Sequence, residues 1–334
     1  MHRRRAIAAI TLALALVVTG AACSDDAEPA AAGASDRLTA ATTVAPITSI
    51  VAAVAGDLVD VEGIVPEGTN SHTFEPRPSV AELLAEADVL YLNGLMLEEP
   101  TRELAEATMD DPSAIVALGD LTLTEDEYVY DFSFPRAEGK PNPHLWTDPT
   151  LARRYAELVK DDLAERDPDN AAAYEAGYAA FAEAVDELDA AMRTAFATVP
   201  QRALLTYHDA YAYFARTYDW EVIGAIQVSD FEDPSPAEVV RLIEQVRATG
   251  VRAIFGSEVF PSPVLEQIGR ETGVRYVDEL RDDDLPGGPG DPEHSWFGLM
   301  RFNYVTMTEA LGGDASALEA FELPDLPDSA RYPQ

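Results

Sequence analysis

The sequence predicts an α/β protein of two lobes, each with a mostly parallel β-sheet flanked by helices, joined by one long linking α-helix. Three observations carry this expectation. Asn170 to Val199 is rich in Ala and Glu, lacks proline and holds a single glycine, Gly177. Bounded by Asp167-Pro168 and Pro200, it reads as one helix with an apolar stripe at Tyr174, Phe181, Val185, Leu188 and Met192. On either side of it, strand-like and helix-like segments alternate, which is the pattern of parallel sheets with helical crossovers. At 334 residues and 47% hydrophobic, the chain is long enough to bury a core in each half. The expected divisions are an N-terminal α/β lobe over 37–168, the linking helix over 169–200 and a C-terminal α/β lobe over 201–334.

In the first lobe, Leu38 to Val44 is a β-branched run ending before Pro46, and Ile47 to Ala55 follows with helical spacing. Val59 to Val65 predicts a second strand running into Pro66–His72, where proline and glycine exclude regular structure. Helix Pro78–Ala87, strand Val89–Asn93, helix Glu98–Ala107 and short strand Ser113–Ala117 complete the lobe. Leu121–Lys140 is an irregular acidic and aromatic segment to which the sequence assigns no role. Asp148 is a natural N-cap and Pro149 a natural first residue for a helix running to Arg166, so His144 falls in a rigid turn just before it.

Alternation resumes after the linker. Strand Ala203–Thr206, helix Ala210–Tyr218, strand Glu221–Ala225, helix Pro236–Thr249, strand Val251–Phe255, helix Ser262–Thr272 and strand Val274–Val277 predict a second parallel sheet. Loops at the carboxyl ends of such strands form the site in this architecture. His208 and Asp209 follow one strand directly, and Glu258 follows another. Asp278–Glu293 is a Gly- and Pro-bearing loop dense in carboxylates, followed by His294 and a final helix, Ser295–Leu311.

The amino terminus carries Arg3, Arg4 and Arg5, an apolar run from Ala6 to Val18, and small residues before Cys23, the only cysteine. Residues 1–23 therefore read as a secretory signal too short to span a membrane. The Ala-Ala-Cys ending resembles a bacterial lipobox, apart from Gly20 where leucine is usual, and implies that Cys23 is lipidated. Residues 24–36 are small, polar and patternless, a flexible tether. One cysteine excludes an internal disulfide. A formal net charge of -37 argues against nucleic acid as a partner, because phosphates would be repelled, and draws cations only unspecifically.

Five histidines occur, and His2 leaves with the signal. Each remaining one, taken alone, is more often a surface or core residue than a ligand. His72, His144 and His208, however, sit in loops at strand ends or a helix start, where distant segments converge. Scattered ligands fit a buried metal site assembled by tertiary structure, and no pair has the short spacing of a zinc finger or a helical His-Glu-x-x-His site.

The run Val65–Pro76 is similar to the first-ligand motif of the TroA-like zinc and manganese solute-binding proteins, the metal receptors of ABC importers. Asn93-Gly94-Leu95 with Glu98, Asn142–Trp146 with Asp148-Pro149, Thr206–Tyr211 with Tyr213, Phe214 and Tyr218, and Met300–Asn303 resemble the same family, in order, over nearly all of 38–311. The resemblance implies two lobes joined by a long helix and a cation in the cleft between them. It carries His72, His144 and His208 over as ligands. Its fourth ligand, an aspartate of the last loop, aligns with Asp283, beside Asp282 and Asp284, with Asp278 a weaker candidate. The histidine-rich loop of zinc-specific relatives is absent from Leu121–Lys140. His294 lies outside the family pattern and reads as a surface residue, and Glu258 as a strand-end carboxylate near the cleft.

Three imidazoles and one carboxylate suit Zn2+ in a closed tetrahedral shell, with Mn2+, which favours more oxygen, second. The expected protein is a monomeric, lipid-anchored receptor on the outer face of the cell membrane that delivers metal to an ABC permease, not an enzyme. A secreted zinc hydrolase using the same histidines, with Glu258 or an aspartate activating water, is the competing class. A metal-binding surface adhesin is a third. The linking helix predicts limited hinging, with capture through local ordering of Asp278–Glu293.

Overall fold

Apolar and β-branched runs between Pro- and Gly-bearing turns form strands here because helices cover both faces of each sheet. The computed structural model describes residues 37–227, 234–257 and 262–333. The signal 1–23 with Cys23, the tether 24–36 and Glu258 lie outside the described residues. In the first lobe β1 (Leu38–Thr42), α1 (Ala45–Ala55), β2 (Val59–Gly63), α2 (Pro78–Glu86), β3 (Val89–Leu92), α3 (Glu99–Thr108) and β4 (Ile115–Ala117) alternate. Their strands are parallel in the order β2-β1-β3-β4, with Ala40 beside both Val61 and Val89.

A short helix α4 (Leu118–Thr122) leads into irregular chain and then α5 (Pro149–Arg166). Asp148 caps α5 through its carboxylate, which accepts from Thr150 N–H at 2.8 Å, and Pro149 opens the helix. The linking helix α6 spans Ala171–Phe196, and every residue of its expected stripe is buried. It does not stand free. It packs along α5 and against α1, whose eleven residues are all buried between the sheet and these long helices.

The second lobe holds β5 (Ala203–Thr206), α7 (Ala212–Tyr218), β6 (Glu221–Ala225), α8 (Pro236–Thr249), β7 (Ala253–Ser257), α9 (Pro263–Thr272), β8 (Arg275–Leu280), α10 (Trp296–Ala310) and α11 (Ser316–Glu319). The sheet is parallel, in the order β6-β5-β7-β8. Helix α7 starts at Ala212 rather than Ala210 because Asp209 Oδ1 accepts Tyr211 N–H and holds a turn after β5. Strand β8 continues to Leu280, so Asp278 and Glu279 are exposed strand residues and the carboxylate loop begins at Arg281.

One apolar cluster runs from Val51 and Val89 through Tyr155, Phe181, Leu188 and Phe196 to Phe214 and Tyr304. Both lobes thus share a core, and Arg37–Gln334 forms one compact unit. Gly177 allows the closest approach within it, since a Cβ there would come 2.4 Å from the carbonyl oxygen of Val54. Gly177→Ala is therefore expected to lower stability by about 1–3 kcal/mol from overpacking, outweighing the ~1 kcal/mol that alanine gains in a helix. Urea unfolding checks this; an unchanged or higher midpoint would contradict so tight a contact between α1 and α6.

Candidate metal centre

Each histidine is held by its own local device. After β2 the chain turns through Pro66–Asn70, and Asn70 Oδ1 accepts the N–H of His72 at 2.9 Å, fixing a single helical turn, Ser71–Thr73. Pro141 and Pro143 flank Asn142, whose Oδ1 accepts both the N–H of His144 at 2.9 Å and its Nδ1–H at 3.0 Å. The amide nitrogen of Asn142 donates to Asp131 Oδ2 at 2.7 Å and to Asp209 O at 2.5 Å. That network keeps the amide oxygen on the imidazole, so the proton sits on Nδ1 and Nε2 keeps its lone pair. His208 stands just beyond the carboxyl end of β5.

The three side chains meet. His144 Nε2 lies 3.1 Å from Nε2 of His72 and 3.1 Å from Nε2 of His208. A ligand atom from each of the three falls within 4.8 Å of the others, and His144, Asp282 and Asp283 meet the same criterion. Asp282 Oδ2 is 3.3 Å from His208 Nε2. Asp283 Oδ2 accepts from Ser71 N–H at 3.3 Å, while its buried Oδ1 has no hydrogen-bond partner among the described residues. A buried acceptor left open is costly and calls for a donor or a cation. Asp284 accepts Gly68 N–H on both oxygens, at 3.0 and 2.8 Å. Asp278, a weaker candidate from the sequence, is exposed on β8.

Burial sets the charge of the group. Loss of hydration pushes all three imidazoles below their ordinary range, with mutual repulsion adding at His72 and His144; His208 is brought down to about 4. The same loss of hydration raises Asp282 and Asp283, each then raised further by a neighbouring aspartate, and lifts Asp284 to about 7. Burial thus favours neutral imidazoles and shifts the carboxyl groups towards their protonated form. A divalent cation would displace those protons and find its ligands in place.

Several residues that sequence reasoning left unassigned build this centre. Phe134, in the irregular Leu121–Lys140 segment, packs its ring 5.5 Å from that of His72 and 5.7 Å from that of His144. Ser133 of the same segment accepts Asp209 N–H at 3.0 Å and donates to Gln227 O at 2.8 Å. Its one sequence signal is four alternating aromatic residues, Tyr128, Tyr130, Phe132 and Phe134, in an otherwise polar run. Trp146 Nε1 donates to Asp282 O at 2.8 Å, and Trp296 Nε1 to Trp146 O at 2.9 Å, tying the His144 turn to the carboxylate loop. Glu98 is buried, takes the N–H groups of Asn93 and Gly94, and holds the turn whose Asn93 donates to Pro143 O at 2.9 Å. His294, expected at the surface, is instead buried, with Nδ1 3.3 Å from Pro286 O. Its place at the start of α10, under later chain, is what sequence position did not reveal. A cavity of about 240 Å3, lined by His72, Met96, Phe134 and Lys140, opens beside the histidines.

Two parallel-sheet lobes fused through one long helix, with convergent imidazoles between them, define the architecture of a bilobed cation-binding protein. The pattern of the family described as ZnuA, zinc-uptake complex component A periplasmic, matches residues 41–310, and the chain belongs to this family. Its members are the substrate-binding proteins of metal ABC transporters and are not enzymes. The manganese-binding lipoprotein MntA of Halalkalibacterium halodurans is 30% identical over 77% of this chain and 83% of its own. The iron-binding protein YfeA of Yersinia pestis is 29% identical over 81% and 85%. Among solved structures, the periplasmic zinc-binding protein TroA of Treponema pallidum superposes with a TM-score of 0.74 at 26% identity, covering 82% of this chain and 99% of that one. Among the described residues no helix is long and apolar enough to cross a membrane.

Proposed function

We propose that this chain captures a divalent transition metal with His72, His144, His208 and the carboxylate of Asp283, and delivers it to the permease of an ABC importer. The observation that carries the reading is the pair of 3.1 Å contacts that put three imidazole Nε2 atoms around one point. Nitrogen donors in this number favour Zn2+, which closes a tetrahedral shell with one oxygen. Mn2+ stands second. Asp282, 3.3 Å from His208, offers the additional oxygen that manganese would use. In this reading Cys23 carries the lipid that holds a monomeric receptor at the outer face of the membrane, and the tether 24–36 gives it reach.

Replacing a ligand should show directly. His208→Ala is expected to weaken zinc binding by about 100-fold, roughly 2.7 kcal/mol, with the fold retained, and Asp283→Ala to do the same. Asp282→Ala should cost zinc less than Asp283→Ala and manganese more. Calorimetry giving His208→Ala the parent affinity would remove that residue from the site.

The pH dependence follows from the carboxyl groups rather than the imidazoles. The cation-free site keeps protons on acids whose affinity for them is raised, and metal binds the ionised form, so binding releases protons. Affinity should therefore rise with pH through the neutral range, by up to roughly tenfold per pH unit for each proton released. The imidazoles, depressed below 6.5, begin to compete only in acid, near pH 4 for His208. Zinc affinities in buffered titrations at pH 6, 7 and 8 test the sign; a flat profile over that range would contradict it.

A further inference from the structure

Glu67 joins three segments that are far apart in sequence. Its Oε1 accepts from Leu285 N–H at 3.0 Å, its own N–H donates to Pro333 O at 3.2 Å, and its Oε2 lies 3.7 Å from Nε2 of the buried His294. Gly68 and Ser71, on the same loop, donate to Asp284 and Asp283. The loop that presents His72 is thus tied to the loop that presents Asp282 and Asp283.

The third segment comes from outside the family pattern, which ends at residue 310. Residues 323–333 run back from the second lobe to the open edge of β2 in the first. There Gly63 N–H donates to Arg331 O and Arg331 N–H to Val61 O, both at 2.9 Å, and the Arg331 guanidinium meets Glu62 at 2.5 Å. This covers backbone groups that an edge strand otherwise leaves open. Tyr332 sets its ring edge-on to His294, centroids 4.7 Å apart, and its hydroxyl donates to Asp328 at 2.6 Å. Leu323, Leu326, Ala330 and Tyr332 pack against the main core, and the segment also lines a cavity of about 360 Å3 with Ser49 and Ala53 of α1 and Phe181 of α6.

We propose that residues 323–333 are a clasp. Through Pro333 on Glu67 and Tyr332 on His294, it holds the His72 loop against the Asp282–Asp284 loop and sets how fast a bound cation leaves. This rests on the metal-receptor reading above. Tyr332 and Glu67 are positioning residues that touch no cation. Because the clasp stabilises the closed arrangement of the two loops, it slows dissociation and leaves association nearly unchanged, the usual split when encounter does not depend on the restraint.

The test is zinc release into a chromophoric chelator by stopped flow, beside association rates, for the parent chain, a chain ending at Glu322, Tyr332→Ala and Glu67→Ala. Dissociation should accelerate about tenfold in each variant, with association within a factor of two. Truncation combined with Glu67→Ala should add little to either alone, since both break one unit. If the shortened chain does not fold, Tyr332→Ala decides. A parent chain that binds and releases zinc no more slowly than the variants overturns the clasp alone. A parent chain that binds no cation overturns the receptor reading and the clasp with it.

Discussion

Three imidazole rings converge with their Nε2 atoms at contact distance, and the surrounding structure holds that arrangement. Polar ring nitrogens are costly to bury without partners, and each imidazole has a restraint that keeps its Nε2 turned inward. His144 has the tightest, since Asn142 binds its Nδ1 and is itself bound by Asp131 and the Asp209 carbonyl. His72 is set by the Asn70 turn and the ring of Phe134, and His208 by its place at the end of a buried strand facing Asp282. Burial then disfavours the charged form of both the imidazoles and the acids, which suits a site proposed to exchange protons for a cation.

The same constraint explains why the lobes are fused through a common core. The proposed ligands, drawn from the first lobe and the second, must keep ångström-scale positions relative to each other, and a soft junction would spread them. Helix α6 does this by packing along α5 and α1, with Gly177 letting two backbones touch. At the strand ends, Gly68 and Ser71 donate to Asp284 and Asp283 across the cleft.

Most of the fold was legible because its signals are local. Pro149 after Asp148, the Ala-rich helix between Asp167-Pro168 and Pro200, and β-branched runs closed by Gly or Pro each announce one element. The histidines were legible as a set because all three follow strand ends or precede a helix. What stayed hidden depends on contacts between distant segments. The burial of His294 follows from residues 323–333 passing over it, and the part played by Ser133 and Phe134 from an irregular segment folding back on the His144 turn. The ends of β8 and the start of α7 moved because ladder pairing and the Asp209 turn, rather than propensity, decide them.

The central claim is that one cation sits among His72, His144 and His208. Crystals of the zinc-loaded chain, measured on either side of the zinc absorption edge, locate it without any assumption about ligands. The account predicts one strong anomalous peak about 2 Å from Nε2 of each of these three histidines, with a carboxylate oxygen of the 282–284 loop completing the shell. A peak elsewhere on the chain, with the three imidazoles left bare, would contradict it.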